Sequence, residues 1–162
     1  MKIAIVSDSH ENIPAIKAAL QVLGKDNVDL ILHAGDIISP IALRAFQEVK
    51  IFLIAVFGNN DGDRLFLTET VNASGDIYSG LYEREIAGKK ILMMHEPRGL
   101  DSFIKSQNYD LIIYGHTHKI DTRKEGKTLV INPGELGGWL TGRKTFVILD
   151  LASMKYRLAE LD

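Results

Sequence analysis

The feature that most limits what this chain can fold into is a repeated junction, in which an Ile- and Val-rich apolar run stops abruptly at a short polar cluster. Residues 2–7 (KIAIVS) run into Asp8-Ser9-His10, 29–33 (DLILH) into Gly35-Asp36, and 51–57 (IFLIAVF) into Gly58-Asn59-Asn60-Asp61. Short continuous apolar runs of this kind read as parallel strands buried on both faces. Helical signals separate them. Asn12 can cap a helix with Pro14 in its opening turn, Ile13, Ile16, Leu20 and Leu23 recur at helical spacing, and Gly24 stops it. Ser39-Pro40 repeats the cap and proline ahead of Ile41, Ala45 and Val49. This βαβαβ pattern argues for a right-handed parallel sheet.

The second half changes character. Residues 82–87 and 90–95 flank Gly88-Lys89 as a hairpin, a short helix is expected over 100–107, and 111–114 (LIIY) is another buried strand, ending in Gly115-His116-Thr117-His118. Short strands at 119–124, 128–132, 144–150 and 154–159, joined by turns such as Glu125-Gly126-Lys127, point to antiparallel sheet. No repeat, low-complexity tract or Pro/Ser-rich linker interrupts the chain. The expectation is one domain over 1–162, with two sheets packed face to face and helices outside.

Composition removes several classes of function. With 19 Lys and Arg against 21 Asp and Glu, the formal charge is −2, which leaves no basic footprint for a stable nucleic-acid complex. The absence of cysteine removes disulfides, thiolate metal sites and Cys nucleophiles together. Only four apolar residues in a row follow Lys2, too few for a signal peptide core or a membrane span, so a cytoplasmic protein is expected.

The polar clusters share one chemistry. Asp8 and His10 stand two apart, as do His116 and His118, so each pair can face one side of an extended backbone. Asp36 and Asn59 each follow a glycine that lets the chain turn sharply, and His95 closes a strand. Four of the five histidines therefore fall beyond strand ends beside carboxylates, where open α/β sheets gather ligands. Oxygen and imidazole donors in this number suit a transition-metal site, with two ions rather than one. His33, inside an apolar run, reads as a core or supporting histidine, and Asp61 and Asn12 as turn or orienting residues.

The set DxH, GD, GNxD, an isolated His and GHTH resembles the calcineurin-like metallophosphoesterase superfamily. The short length and Asn132-Pro133-Gly134 are similar to its small prokaryotic phosphodiesterase branch. The resemblance implies an α/β fold, a four-layer α/β/β/α sandwich of two mixed sheets. It also implies that Asp8, His10 and His118 hold one divalent ion, Asn59, His95 and His116 a second, and that Asp36 bridges them. The ions would be manganese foremost, with nickel, iron or zinc as alternatives, and a hydroxide bridging them would attack the phosphorus of a small phosphodiester. The expected catalytic residues are Asp36, Asn59, Asn60 and His95.

The chain departs from the family pattern at four positions. Glu11 and Glu96 stand where glycine is common, Asn60 replaces the histidine usually assigned to the leaving group, and Glu135 follows Pro133-Gly134 where serine is common. Because an amide cannot deliver a proton, Asn60 favours diesters with good leaving groups. Two rival readings are a phosphomonoesterase and a non-catalytic protein-binding scaffold with the same fold. Trp139 and Leu140 fit either a core or an interface, which leaves a homo-oligomer open.

Overall fold

The computed structural model describes residues 1–162, and its strands form two mixed sheets. In the six-stranded sheet, β1 (Lys2–Val6), β2 (Leu30–His33), β3 (Phe52–Val56) and β4 (Gly75–Tyr78) run parallel in that order. The final hairpin, β10 (Lys144–Asp150) with β11 (Lys155–Leu161), joins the same sheet, β10 pairing antiparallel to β1 with Ile3 opposite Leu149. The five-stranded sheet has the order β5 (Tyr82–Ile86), β6 (Lys89–Met93), β7 (Leu111–Ile113), β9 (Thr128–Pro133) and β8 (Ile120–Glu125). Its central strands β6, β7 and β9 are parallel, and β5 and β8 close the edges as antiparallel partners.

Alternation along the strands sorts the core into three layers. In β1, Ile3 and Ile5 turn toward the second sheet while Ala4 and Val6 turn toward helices. The inter-sheet layer joins these to Leu32, Val56, Met93, Ile113 and Ile131. Outside the first sheet pack α1 (Ile13–Lys25), α2 (Pro40–Phe46) and α3 (Arg64–Val71), and outside the second packs α4 (Leu100–Ser106). The result is the expected α/β/β/α sandwich. Caps act where the sequence signals them: Asn12 Oδ1 accepts from Ala15 N and Ser39 Oγ from Ile41 N.

Three local expectations are corrected. The strands after residue 119 are not one antiparallel sheet: β9 pairs parallel to β7, and the last hairpin crosses to the other sheet, because its alternating face completes the layer around β1. The hairpin β5–β6 turns at Ala87-Gly88, both at positive φ, rather than at Gly88-Lys89. Trp139 and Leu140 are 65% and 77% exposed and take no part in the core. Two further elements, α3 and β4, fall between the expected ones. Gly75 belongs to β4 for a steric reason, since a Cβ there would lie 1.9 Å from the Leu53 carbonyl oxygen.

Candidate metal centre

Parallel strands of both sheets end at one rim, and the polar clusters lie just beyond those ends. Asp8 and His10 follow β1, Asp36 follows β2, Asn59 and Asn60 follow β3, His95 follows β6, and His116 and His118 follow β7. Asp8, His10, Asp36, His116 and His118 are all in the left-handed region, at φ between 42° and 67°. Such backbone is uncommon for non-glycine residues and collects at functional sites, where surrounding contacts hold it. Asp61 supplies much of that hold here. Its carboxylate accepts from the backbone N–H of Asp36, Ile38 and Gly58, tying the loop after β2 to the loop after β3.

Two groups of donors share one carboxylate oxygen. His10 Nε2 lies 3.5 Å and His95 Nε2 3.4 Å from Asp36 Oδ2. On one side Asp8 Oδ1 is 3.3 Å from His118 Nε2 and 3.8 Å from His10 Nε2, with the His10 and His118 rings stacked. On the other, Asn59 Oδ1 is 2.9 Å from His95 Nε2 and 2.8 Å from His116 Nδ1. Asp8, Asp36 and His95 are buried, whereas Asn59 and His116 face solvent.

The orientation of the rings gives the arrangement its chemical meaning. His95 Nδ1 faces the Ala34 carbonyl at 2.7 Å and must donate to it. In a neutral imidazole, Nε2 then carries a lone pair, aimed at the oxygens of Asn59 and Asp36. Acceptors facing acceptors repel unless a cation or a proton lies between them. His118 turns Nε2 to Asp8 and has Nδ1 3.4 Å from Glu135 Oε2, close to the carboxylate but without a hydrogen bond. Asp8 Oδ1 and His10 Nε2 are buried without a hydrogen-bond partner, a state that costs about 1–3 kcal/mol per group when left unmet. The residues therefore fit divalent cations.

Titration shifts follow the same crowding. The Asp8 carboxylate beside it, with Asp36, holds the His10 imidazole above its ordinary value, against burial. Burial would lower His95, but the Asp36 carboxylate 3.4 Å from its Nε2 raises it overall. Burial would likewise raise Asp36, yet His95 and the Asn60 donors keep its carboxyl well below the usual range.

Asn60 and Glu135 contribute differently from the sequence expectation. The Asn60 amide donates to Asp36 Oδ2 and its backbone N–H to Asp36 Oδ1, both at 2.8 Å, so in this structure its side chain is taken up by the shared carboxylate. Glu135, given no role from sequence, is buried and accepts from Leu140 N, Thr141 N and Thr141 Oγ while facing His118. These donors outweigh burial and hold its carboxyl below the ordinary value. The only sequence signal for it was an acid in a short run after Pro133-Gly134. His33 is wholly buried, with Nε2 3.0 Å from Ser9 Oγ and Nδ1 accepting from Gly35 N. Burial, the leading cause, lowers its pKa to about 4. Trp139 Nε1 donates to the His10 carbonyl at the rim.

A model of the calcineurin-like phosphoesterase superfamily domain matches residues 1–154. The chain belongs to this superfamily. Among curated proteins it is similar to phosphodiesterase MJ0936 of Methanocaldococcus jannaschii, 38% identical over 161 residues and covering 97% of each chain. Among solved structures it is similar to an archaeal phosphodiesterase at 38% identity and TM-score 0.93, covering 99% of this chain and 100% of that one. Vacuolar protein sorting 29 from Cryptosporidium parvum shares the superfamily fold at TM-score 0.72 and 19% identity, covering 99% and 96%. No helix of the chain is long and apolar enough to cross a membrane.

Proposed function

We propose that the chain is a phosphodiesterase that uses two divalent transition-metal ions, with its 162 residues acting as one domain. The observation that carries this reading is the single oxygen, Asp36 Oδ2, lying between two groups of N and O donors whose lone pairs converge. Asp8, His10 and His118 would hold one ion and Asn59, His95 and His116 the other, with Asp36 common to both. Bound there, such ions supply charge neutralisation for an anionic phosphate and activation of a water nucleophile.

The protein's own part is to keep those donors aimed. Ser7 Oγ and His116 N–H fix Asp8 Oδ2, leaving Oδ1 free toward the histidines. Ala34 fixes the tautomer of His95 so that Nε2 faces inward, as carbonyls do for metal-bound imidazoles, and the Glu135 carboxylate faces Nδ1 of His118 across 3.4 Å. Asn60 grips both oxygens of Asp36, and an amide there cannot protonate a poor leaving group. That, together with the relatives named phosphodiesterases, supports diesters over monoesters.

The test compares kcat/KM for bis(4-nitrophenyl) phosphate and 4-nitrophenyl phosphate at verified metal content, with Mn²⁺, Ni²⁺, Fe²⁺ and Zn²⁺ in turn. The expected result is about two ions per chain and a preference for the diester. One ion or none at saturation would overturn the dinuclear reading. Faster monoester turnover would reverse the substrate assignment, and metal binding without turnover of either would favour the scaffold.

A further inference from the structure

Immediately beside the Asn59 and His95 donors the surface opens into a cavity of about 410 Å³. Loops after β3 and β6 and the turn between β4 and β5 form its walls. Phe57, Leu81, Met94 and Phe103 supply the apolar lining, and Leu81 is 51% exposed at its mouth although it sits in a concavity. Arg64 lies with its guanidinium 5.0 Å from the centre of the Phe57 ring and is pinned there by the carbonyls of Gly58 and Asp61. The guanidinium is thus held over one face of the Phe57 ring, which places a planar cation among the apolar residues of the cavity, a partner on which planar rings stack. A volume of this size takes a ring with a sugar or linker attached.

Building on the phosphodiesterase reading, we propose that this cavity is the subsite for the ester arm that stays on the phosphate, and that it selects a planar aromatic arm, an aryl group or a nucleobase. An alkoxide leaving arm, too basic to depart without a proton, is excluded from this side. Guanidinium groups do not release one, Glu96 Oε2 is engaged by Arg98 Nε and Nη2 at 2.8 and 2.7 Å, and the inner nitrogen of His95 turns away toward Asp36 and Asn59. A departing alkoxide on this side would meet guanidinium N–H groups but none that gives up a proton, while a retained ring meets a stacking partner.

The experiment holds the leaving group constant as 4-nitrophenolate and varies the retained arm among methyl, cyclohexyl, phenyl and thymidine-5′-yl, in the metal-loaded full chain. The phenyl and thymidine diesters should exceed the methyl diester in kcat/KM by about tenfold, mostly through KM, with cyclohexyl well below phenyl. Leu81→Ser and Phe103→Ala should shrink the phenyl-to-methyl ratio while the folded fraction, followed by thermal melting, is held comparable. Equal ratios for methyl and phenyl, or cyclohexyl matching phenyl, would overturn the proposal. Binding gives a second readout that needs no turnover. Diphenyl phosphate should shift the methyl resonances of Leu81 and Met94 and dimethyl phosphate should not; shifts absent from both residues would overturn the subsite. If none of the nitrophenyl diesters is hydrolysed while diphenyl phosphate still shifts those methyls, the activity reading fails and the cavity assignment stands.

Discussion

His33 shows how one residue can be placed by sequence and given its role only by structure. An imidazole inside an apolar run is legible as buried, but its partners are not: Ser9 comes from the loop after β1, and the N–H of Gly35 turns back from two residues on. Held neutral with a pKa of about 4, it stays unprotonated in the folded chain while the unfolded chain takes up a proton near its ordinary value. Between those values the unfolded state binds more protons, so stability falls as pH falls. Replacing the ring by His33→Asn should cost stability at pH 7, and the gap to the parent should narrow by about 2 kcal/mol by pH 5. Urea melts of the metal-free proteins at both pH values measure this, and a constant gap would show that His33 does not carry the acid limb. Glu135 was opaque for the opposite reason, since nothing in Gly134-Glu135-Leu136 says what the carboxylate faces. Its contact with His118 predicts that Glu135→Gln weakens Mn²⁺ affinity by about 10–100-fold, measured by competitive chelator titration. A lowered melting temperature with unchanged affinity would make Glu135 only an anchor for the Leu140-Thr141 loop.

At the scale of elements, the junctions were readable and the strand partners were not. Each glycine and polar cluster marked a strand end correctly because backbone turning and ligand chemistry are local. Which strand lies beside which depends on faces meeting across the core, so the transfer of β10 and β11 to the first sheet carried no local signal. The α3–β4 unit escaped because Arg64–Val71 buries only Leu67 and Val71 on a short helix, leaving Leu65 and Phe66 outside the apolar stripe that would have identified it. The junctions also make a sharp prediction. A Cβ at Gly58 would stand 2.1 Å from Asp36 Oδ1 and 2.5 Å from Asp36 N, so Gly58→Ala must displace the shared carboxylate. It should abolish tight metal binding and destabilise the fold by roughly 1–3 kcal/mol, as overpacking does. Gly24→Ala is the control, since nothing lies within 4 Å of its added Cβ and it sits in the last turn of α1. It should leave metal binding intact and raise stability by up to about 1 kcal/mol, the helix preference for alanine. Calorimetric titration with Mn²⁺ and denaturant melts of the two variants decide the matter; tight binding retained by Gly58→Ala would refute the steric argument.

The whole molecule joins its two sheets in two ways, through the apolar layer between them and across the rim. Asp8, His10, Asp36 and Asn59 hang from the six-stranded sheet, while His95, His116 and His118 hang from the five-stranded one. Each donor group therefore draws on both sheets, and an ion bound by either group links the sheets at the edge where the core stops. Such ions favour the folded state because the unfolded chain cannot assemble these donors from positions 8 to 118. At free metal of one hundred times the dissociation constant, the added stability is about 2.7 kcal/mol. For a chain of this size, roughly 2–4 °C of melting temperature accompanies each kcal/mol, so Mn²⁺ should raise the midpoint over chelated protein by roughly 5–11 °C for each site filled at that ratio. Asp36→Ala, which removes the oxygen common to both groups, should lose nearly all of that rise. Asn59→Ala, which touches only the solvent-facing group, should keep the part contributed by Asp8, His10 and His118. Differential scanning calorimetry with and without chelator distinguishes these cases. If Asn59→Ala lost as much as Asp36→Ala, the two groups would bind as one indivisible unit rather than as two sites sharing a carboxylate.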